Sequence, residues 1–356
     1  MFEQFGFEET TARQASLYFA LGLGLLFGAL AQVTRFCFRR AVVGEDRRQA
    51  AGVWATALIV AVLGTQAVVA SGLVSFDGHR LLTPDLPWLA VIVGGLLFGV
   101  GMVLTRGCIS RLAVLGGGGN LRGLFVLLVF AVTAHATLKG VLAPLRTGLG
   151  QVTVGLGDAA SLAAIPGGAW VGAALLSIIA LAFVWRSGNR PLTLVGAAAI
   201  GLLVPLGWVG TGYVLLDEFD PITMESLSFT APTADTLFWG IASSAVEPGF
   251  GVGLVGGTIL GALVAALLAG SFKWQSFESP AQTGRYVAGG VLMGMGGVLA
   301  GGCTLGAGLS GLPTLSVAAL LALGSMALGA RLTDAALRSA DARSARPTTP
   351  QAQPAE

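Results

Sequence analysis

The chain predicts an all-α polytopic membrane protein of about nine transmembrane helices, and three observations predict it. Apolar residues supply 54% of the 356 positions while Asp, Glu, Lys and Arg together supply 11%, against about 25% charged in a soluble domain. Apolar residues gather into stretches of roughly 17–25 residues, the length that crosses a bilayer. Glycine occurs 54 times, about twice its ordinary share. In lipid that excess permits close helix packing and helix interruption.

Taken in order, residues 1–16 form an N-terminal segment. Glu3, Glu8 and Glu9 make it acidic where a cleavable signal is basic, and no small-residue cleavage site follows the first apolar stretch. The first span is therefore expected to stay. Candidate spans fall near 17–34, 51–73, 88–105, 122–138, 168–185, 192–209, 249–270, 285–302 and 312–330. An odd number of crossings puts the termini on opposite sides. With the N-terminus outside, sixteen of the twenty basic residues collect on the inner side; only Arg13, Arg80, Lys139 and Arg146 remain outside. The positive-inside rule selects that orientation, with a cytoplasmic C-terminus. Residues 336–356, ending in a Pro- and Gln-containing run, are expected to form a disordered cytoplasmic tail.

Two spans end in one pattern. Residues 99–108 and 294–303 both read G-x-G-x-V-L-x-x-G-C, and each stands third in a group of four. The first and sixth spans occupy matching places, with Trp208 and Thr211 where the first has Cys37. This predicts two related halves of opposite orientation in a 4+1+4 plan: a first repeat over 17–150, a linker span over 151–190 and an inverted second repeat over 191–335. Such folds place substrate near the midplane, where broken helices meet.

The candidate site follows from the cysteines. All three, Cys37, Cys108 and Cys303, lie in glycine-rich breaks at span ends. Desolvation keeps a membrane-embedded thiol neutral, and a neutral thiol makes weak contacts suited to a soft solute in passage. Gly107, Gly302 and Thr304 flank the sulfurs, where a broken helix exposes amides to anionic oxygen. Arg35, Arg106 and Arg111 stand beside the first two cysteines, either as positive-inside anchors or as an electrostatic funnel. The competing readings are buried cysteines that merely pack, a Cys108–Cys303 disulfide, and a membrane sulfurtransferase that forms a persulfide. The absence of C-x-x-C pairs and of nearby His at ligand spacing argues against metal. No phosphate loop G-x-x-x-x-G-K-[ST] occurs, so no cofactor is assigned, and no basic–aromatic run points to nucleic acid.

Thr34-Arg35-Phe36-Cys37-Phe38, Arg106-Gly107-Cys108-Ile109-Ser110-Arg111 followed by Gly116 to Leu121, and Gly301-Gly302-Cys303-Thr304 together resemble the YeeE/YedE family of sulfur transporters. Gly207 to Gly212 and Leu227 to Pro232 add to the match, which covers roughly residues 17–330. The resemblance implies thiosulfate uptake across the bacterial inner membrane, and re-entrant half-helices beside nine spans in an hourglass pinched at its centre. It also implies a relay of the anion by S–H···S contacts along Cys37, Cys108 and Cys303. Membrane lipid and, for some members, a small cytoplasmic sulfur carrier of the TusA type are the implied partners. Other branches are linked to selenium species or other sulfur oxyanions.

Overall fold

A computed structural model describes residues 11–164, 168–217 and 221–344. Its elements are almost wholly helical. The long helices are α1 (Ala12–Thr34), α3 (Arg47–Ala70), α4 (Trp88–Leu104), α6 (Leu121–Lys139), α8 (Gly168–Ser187), α9 (Pro191–Val209), α11 (Phe250–Leu268), α12 (Pro280–Leu299) and α13 (Val317–Ser344). Shorter pieces are α2 (Phe38–Val43), α5 (Ile109–Gly117), α7 (Ala143–Gly150) and α10 (Thr230–Ile241). Two wide-wound π-helical segments follow α9 (Gly210–Val214) and α12 (Thr304–Gly311). A two-residue antiparallel pair, β1 (Asp85–Leu86) with β2 (Val154–Gly155), ties two loops together.

Nine candidate membrane spans stand among the described residues, in the nine places the hydropathy predicts. Boundaries are set by local chemistry. The Gln14 amide donates to Thr11 Oγ1 at 3.2 Å, so α1 starts at Ala12, inside the segment expected to precede it. Asn120 caps α6 through the Gly123 amide at 3.1 Å. Ser279 caps α12, and Pro191 opens α9; both follow ordinary helix-start rules. At the other end α13 runs to Ser344, so residues 336–344 are helix rather than tail. The alanines there favour helix, and Arg338 bonds Asp334 one turn back at 2.8 Å. The rest of the expected tail, and residues 1–10, lie outside the described residues.

Glycine makes the core close. A side chain on Gly24 or Gly28 of α1 would run into the carbonyls of Leu254 or Thr258 on α11. Gly253, Gly257 and Gly261 of α11 face the carbonyls of Leu17, Leu21 and Leu25 in return. Small residues every fourth position bring the backbones together, where dispersion and packing replace the absent hydrophobic drive between helices in lipid. Gly94 and Gly101 of α4 meet Gly296 and Gly289 of α12 in the same way.

The packing partners form matched pairs. α1 lies along α11, and α9 lies along α3; α4 packs on α13, and α12 packs on α6. Exchanging α1 with α9, α3 with α11, α4 with α12 and α6 with α13 converts each pair into the other, while α4 and α12 pack on one another. Helix α8 stands outside this set against α3. It buries only Gly172, Ala173, Ala180 and Ser187, and Ile178, Leu181 and Trp185 point outward.

Candidate functional site: three cysteines at three helix breaks

One backbone device occurs three times. Helices α1, α4 and α12 each end three or four residues before a cysteine, and two residues before that cysteine a residue with positive φ reverses the chain: Arg35 at 53°, Arg106 at 59° and Gly301 at 74°. The cysteine then takes an extended conformation and becomes the N-cap of the next helical piece. Cys37 heads α2, Cys108 heads α5 and Cys303 heads the π-helical segment. Each sulfur faces backbone three residues ahead, at Arg40, Arg111 and Gly306 respectively; the Gly306 amide donates to Cys303 Sγ at 3.4 Å. A side-chain acceptor at this position satisfies an otherwise orphaned N–H.

The three breaks converge. The Cys37 and Cys108 thiols are neighbours, and Cys108 also lies close to Thr304. Its sulfur stands 3.3 Å from Ser110 Oγ. Cys303 lies near Cys108. All three are free, so the Cys108–Cys303 disulfide is not formed. Relative exposures of 4%, 2% and 0% for Cys37, Cys108 and Cys303 leave the cluster sealed from solvent.

The flanking residues divide by role in the geometry. Buried Gly107 accepts from Thr105 Oγ1 at 2.9 Å through its carbonyl, which pins the second break. A side chain on Gly302 would come 2.9 Å from the Ala307 nitrogen, so only glycine lets the π-helical segment fold back there. Thr304 is buried against Cys108. Arg111 is half-buried, donates to the Ala31 carbonyl at 3.2 Å and lies near both Cys37 and Cys108. Arg35 and Arg106 are exposed; their backbones make the break, and their side chains stand off the sulfur cluster. Arg40 donates to the Arg35 carbonyl at 2.5 Å and pairs with Asp46. That pairing holds the Asp46 carboxyl below its usual range.

On the side of the loops that precede α4 and follow α6, a cavity of about 260 Å³ reaches the third break. It is lined by Arg80, Arg146, Leu299, Gly301, Ala307 and Ala319 among others. Arg80 donates to the Gly301 carbonyl at 3.3 Å. Arg146 Nε is buried without a partner among the described residues. A smaller chamber of about 20 Å³ adjoins it at Arg80 and is bounded by Trp208, Glu225, Ser228, Gly306 and Ser310. Neither arginine carries a sequence signal that sets it apart. Arg80 sits in a loop and Arg146 in the short helix α7, both distant in sequence from Cys303, and only the fold brings them to the third break. Trp208 was legible only as the residue standing where a fourth cysteine break would be. The chain does not break there: α9 passes directly into π-helix at Gly210, with φ of −59°.

Comparison with known proteins agrees with this architecture. The chain is 29% identical over 325 residues to the thiosulfate transporter TsuA of Spirochaeta thermophila, covering 86% of this chain and 94% of that one. It is 28% identical over 324 residues to the thiosulfate transporter TsuA of Escherichia coli K12, covering 80% of this chain and 84% of that one. The profile of the sulphur transport family matches residues 33–332, a stretch that contains all three cysteine breaks and both π-helical segments. The chain belongs to the sulphur transport (YeeE/YedE) family.

Proposed function

We propose that this protein is a permease that carries thiosulfate, a dianion with one soft terminal sulfur and three hard oxygens, across a bacterial inner membrane. The anion enters at the vestibule of Arg80 and Arg146, passes Cys303, Cys108 and Cys37 in that order, and leaves beside Arg111, Arg35 and Arg106. The cysteines act as neutral thiols making weak S–H···S contacts, so that several shallow stations replace one deep one. The observation that carries the reading is the convergence of three separately built helix breaks on one sulfur cluster, with cations on both sides. The paired packing of the helices supports two inverted halves meeting at that cluster, with α8 as the linker span. The distribution of basic residues supports an outer N-terminus and a cytoplasmic C-terminus. On the cytoplasmic side a TusA-type carrier is the partner that would accept the sulfur.

The test is uptake of labelled thiosulfate by purified protein in liposomes. Wild-type protein takes it up, and Cys108→Ala or Cys303→Ala does not. Selenium species, sulfite and sulfide compete more weakly than unlabelled thiosulfate. A lasting mass increment on Cys108 or Cys303 after substrate exposure would instead identify a persulfide-forming transferase. Full uptake by the triple alanine variant would remove the relay.

A further inference from the structure

The chamber beside the vestibule is lined by Trp208, a residue whose donor has nothing to bond. Trp208 is 3% exposed, and its indole Nε1 is buried with no hydrogen-bond partner among the described residues. A buried polar group left unpaired is costly, and native structures rarely leave one without a ligand, water or ion to complete it. The ring itself is firmly held, edge-to-face with Phe76 at 5.1 Å and with His79 at 5.5 Å. Its position is therefore fixed by packing and not by the N–H.

The rest of the lining is selective. Ser226 donates to the Val204 carbonyl at 2.8 Å and Ser310 to the Leu227 carbonyl at 2.7 Å, so both hydroxyl hydrogens are committed. Ser228 makes no hydrogen bond among the described residues and faces Gly306, where an added side chain would meet its hydroxyl at 2.6 Å. The chamber volume of about 20 Å³ is enough for a single water-sized atom group. Arg80 lines both this chamber and the vestibule. Gly306, also in the lining, is the residue whose amide holds the Cys303 sulfur. The chamber lining thus joins hard donors to the residue that supports a soft one.

Glu225 is the feature that does not fit a simple anion site. Its backbone is fixed by Thr211, whose hydroxyl donates to the Glu225 carbonyl at 2.7 Å and accepts from its amide at 3.0 Å. Glu225 lines the chamber, and an ionised carboxylate there would repel an oxyanion. The charged and titratable groups around it are Arg80 from the loop before α4 and Asp235 from α10, with His79 across Trp208. Burial is the largest influence and pushes the carboxyl above its ordinary range; Arg80 opposes it and Asp235 adds to it. An arriving anion would push further the same way.

Resting on the thiosulfate reading above, we infer that this chamber is a station for one oxygen of the transported anion, held by the Trp208 Nε1–H and the Ser228 hydroxyl with Arg80 at its mouth, and that Glu225 carries a proton while it is occupied. The anion's sulfur can then address Cys303 while an oxygen is still held, and one proton enters the complex with each anion. Where the first half of the protein offers sulfur at Cys37, the second half offers N–H and O–H.

The experiment measures KM for thiosulfate uptake in liposomes as a function of external pH. Trp208→Phe keeps the edge contacts and removes the N–H; it should raise KM about ten-fold or more, the usual effect of losing a hydrogen bond to a charged group. Ser228→Ala should raise it in the same sense and serves if Trp208→Phe does not fold. Wild-type KM should rise with pH by up to about ten-fold per unit once Glu225 deprotonates, and Glu225→Gln should flatten that profile. Unchanged KM in both donor variants, or an unchanged pH profile in Glu225→Gln, would overturn the station while leaving cysteine-dependent uptake intact. Absence of thiosulfate uptake by the wild type would instead strike at the parent reading.

Discussion

The left-handed residues at the three breaks allow backbone and side chain to be separated by experiment. Arg35 and Arg106 adopt φ of 53° and 59°, whereas the third break uses Gly301 at 74°. For a residue with a side chain this conformation costs about 1–2 kcal/mol, which glycine does not bear. Replacing Arg106 by glycine removes that strain but adds chain freedom to the unfolded state, worth roughly 0.5–1 kcal/mol the other way. The two nearly cancel, so Arg106→Gly should hold its thermal midpoint to within a few degrees in detergent. The converse, Gly301→Ala, has no atom within 4 Å of the added carbon, so it isolates the backbone cost and should destabilise by about 1–2 kcal/mol. If the exposed guanidinium of Arg106 serves only the exit field, uptake by Arg106→Gly should fall several-fold, most at low ionic strength, where screening is weakest. Wild-type uptake from Arg106→Gly at low salt would refute the electrostatic part of the argument. A collapse in stability would refute the backbone part and show that the arginine holds the break together.

Further expectations concern the sulfurs, the helix contacts and the inner loop. Cys303→Ser should abolish uptake while inserting normally, because a hydroxyl is a hard group; serine rescue in the liposome assay would count against soft contacts. Gly101→Ala should force α4 away from α12, since the new carbon would lie 2.5 Å from the Gly289 carbonyl; a loss of about 1–3 kcal/mol should appear as lowered thermal stability, and an unchanged midpoint would deny close packing there. The Arg40–Asp46 pair depresses the Asp46 carboxyl, so its contribution is present above the ordinary carboxylate range and lost as pH falls through the depressed value. Asp46 is 41% exposed, which keeps that contribution small. Thermal scans of Asp46→Asn should therefore match wild type below that range and lie slightly lower at neutral pH.

The spans and the breaks were legible because both depend on local composition: long apolar runs need lipid, and Gly-Cys pairs interrupt them. The meeting of Cys37, Cys108 and Cys303 followed from placing each at a span end and from the repeated motif before the last two. What the sequence hides is conformational and long-range. Arginine disfavours positive φ, so nothing local marks Arg35 and Arg106 as chain-reversing residues, while Gly301 fits the role by type. Arg80, Arg146 and Trp208 reach the third break only through tertiary packing across more than 150 residues of chain in the case of Arg146. The early start of α1 rests on a single threonine cap outside the apolar run. The extended end of α13 rests on alanine propensity and one ion pair in a segment whose composition reads as tail.

The second and third breaks feed into differently wound pieces, and that contrast bears on mechanics. α5 is an ordinary helix of nine residues, whereas its counterpart behind Cys303 is π-wound over eight residues, three of them glycine. Wide winding has poorer internal bonding, and glycine adds little resistance to bending. Any widening of the sealed seam will therefore be taken up by the Thr304–Gly311 stretch while α5 stays as the fixed jaw. The motion would then be carried by the third break alone, with the other two held still.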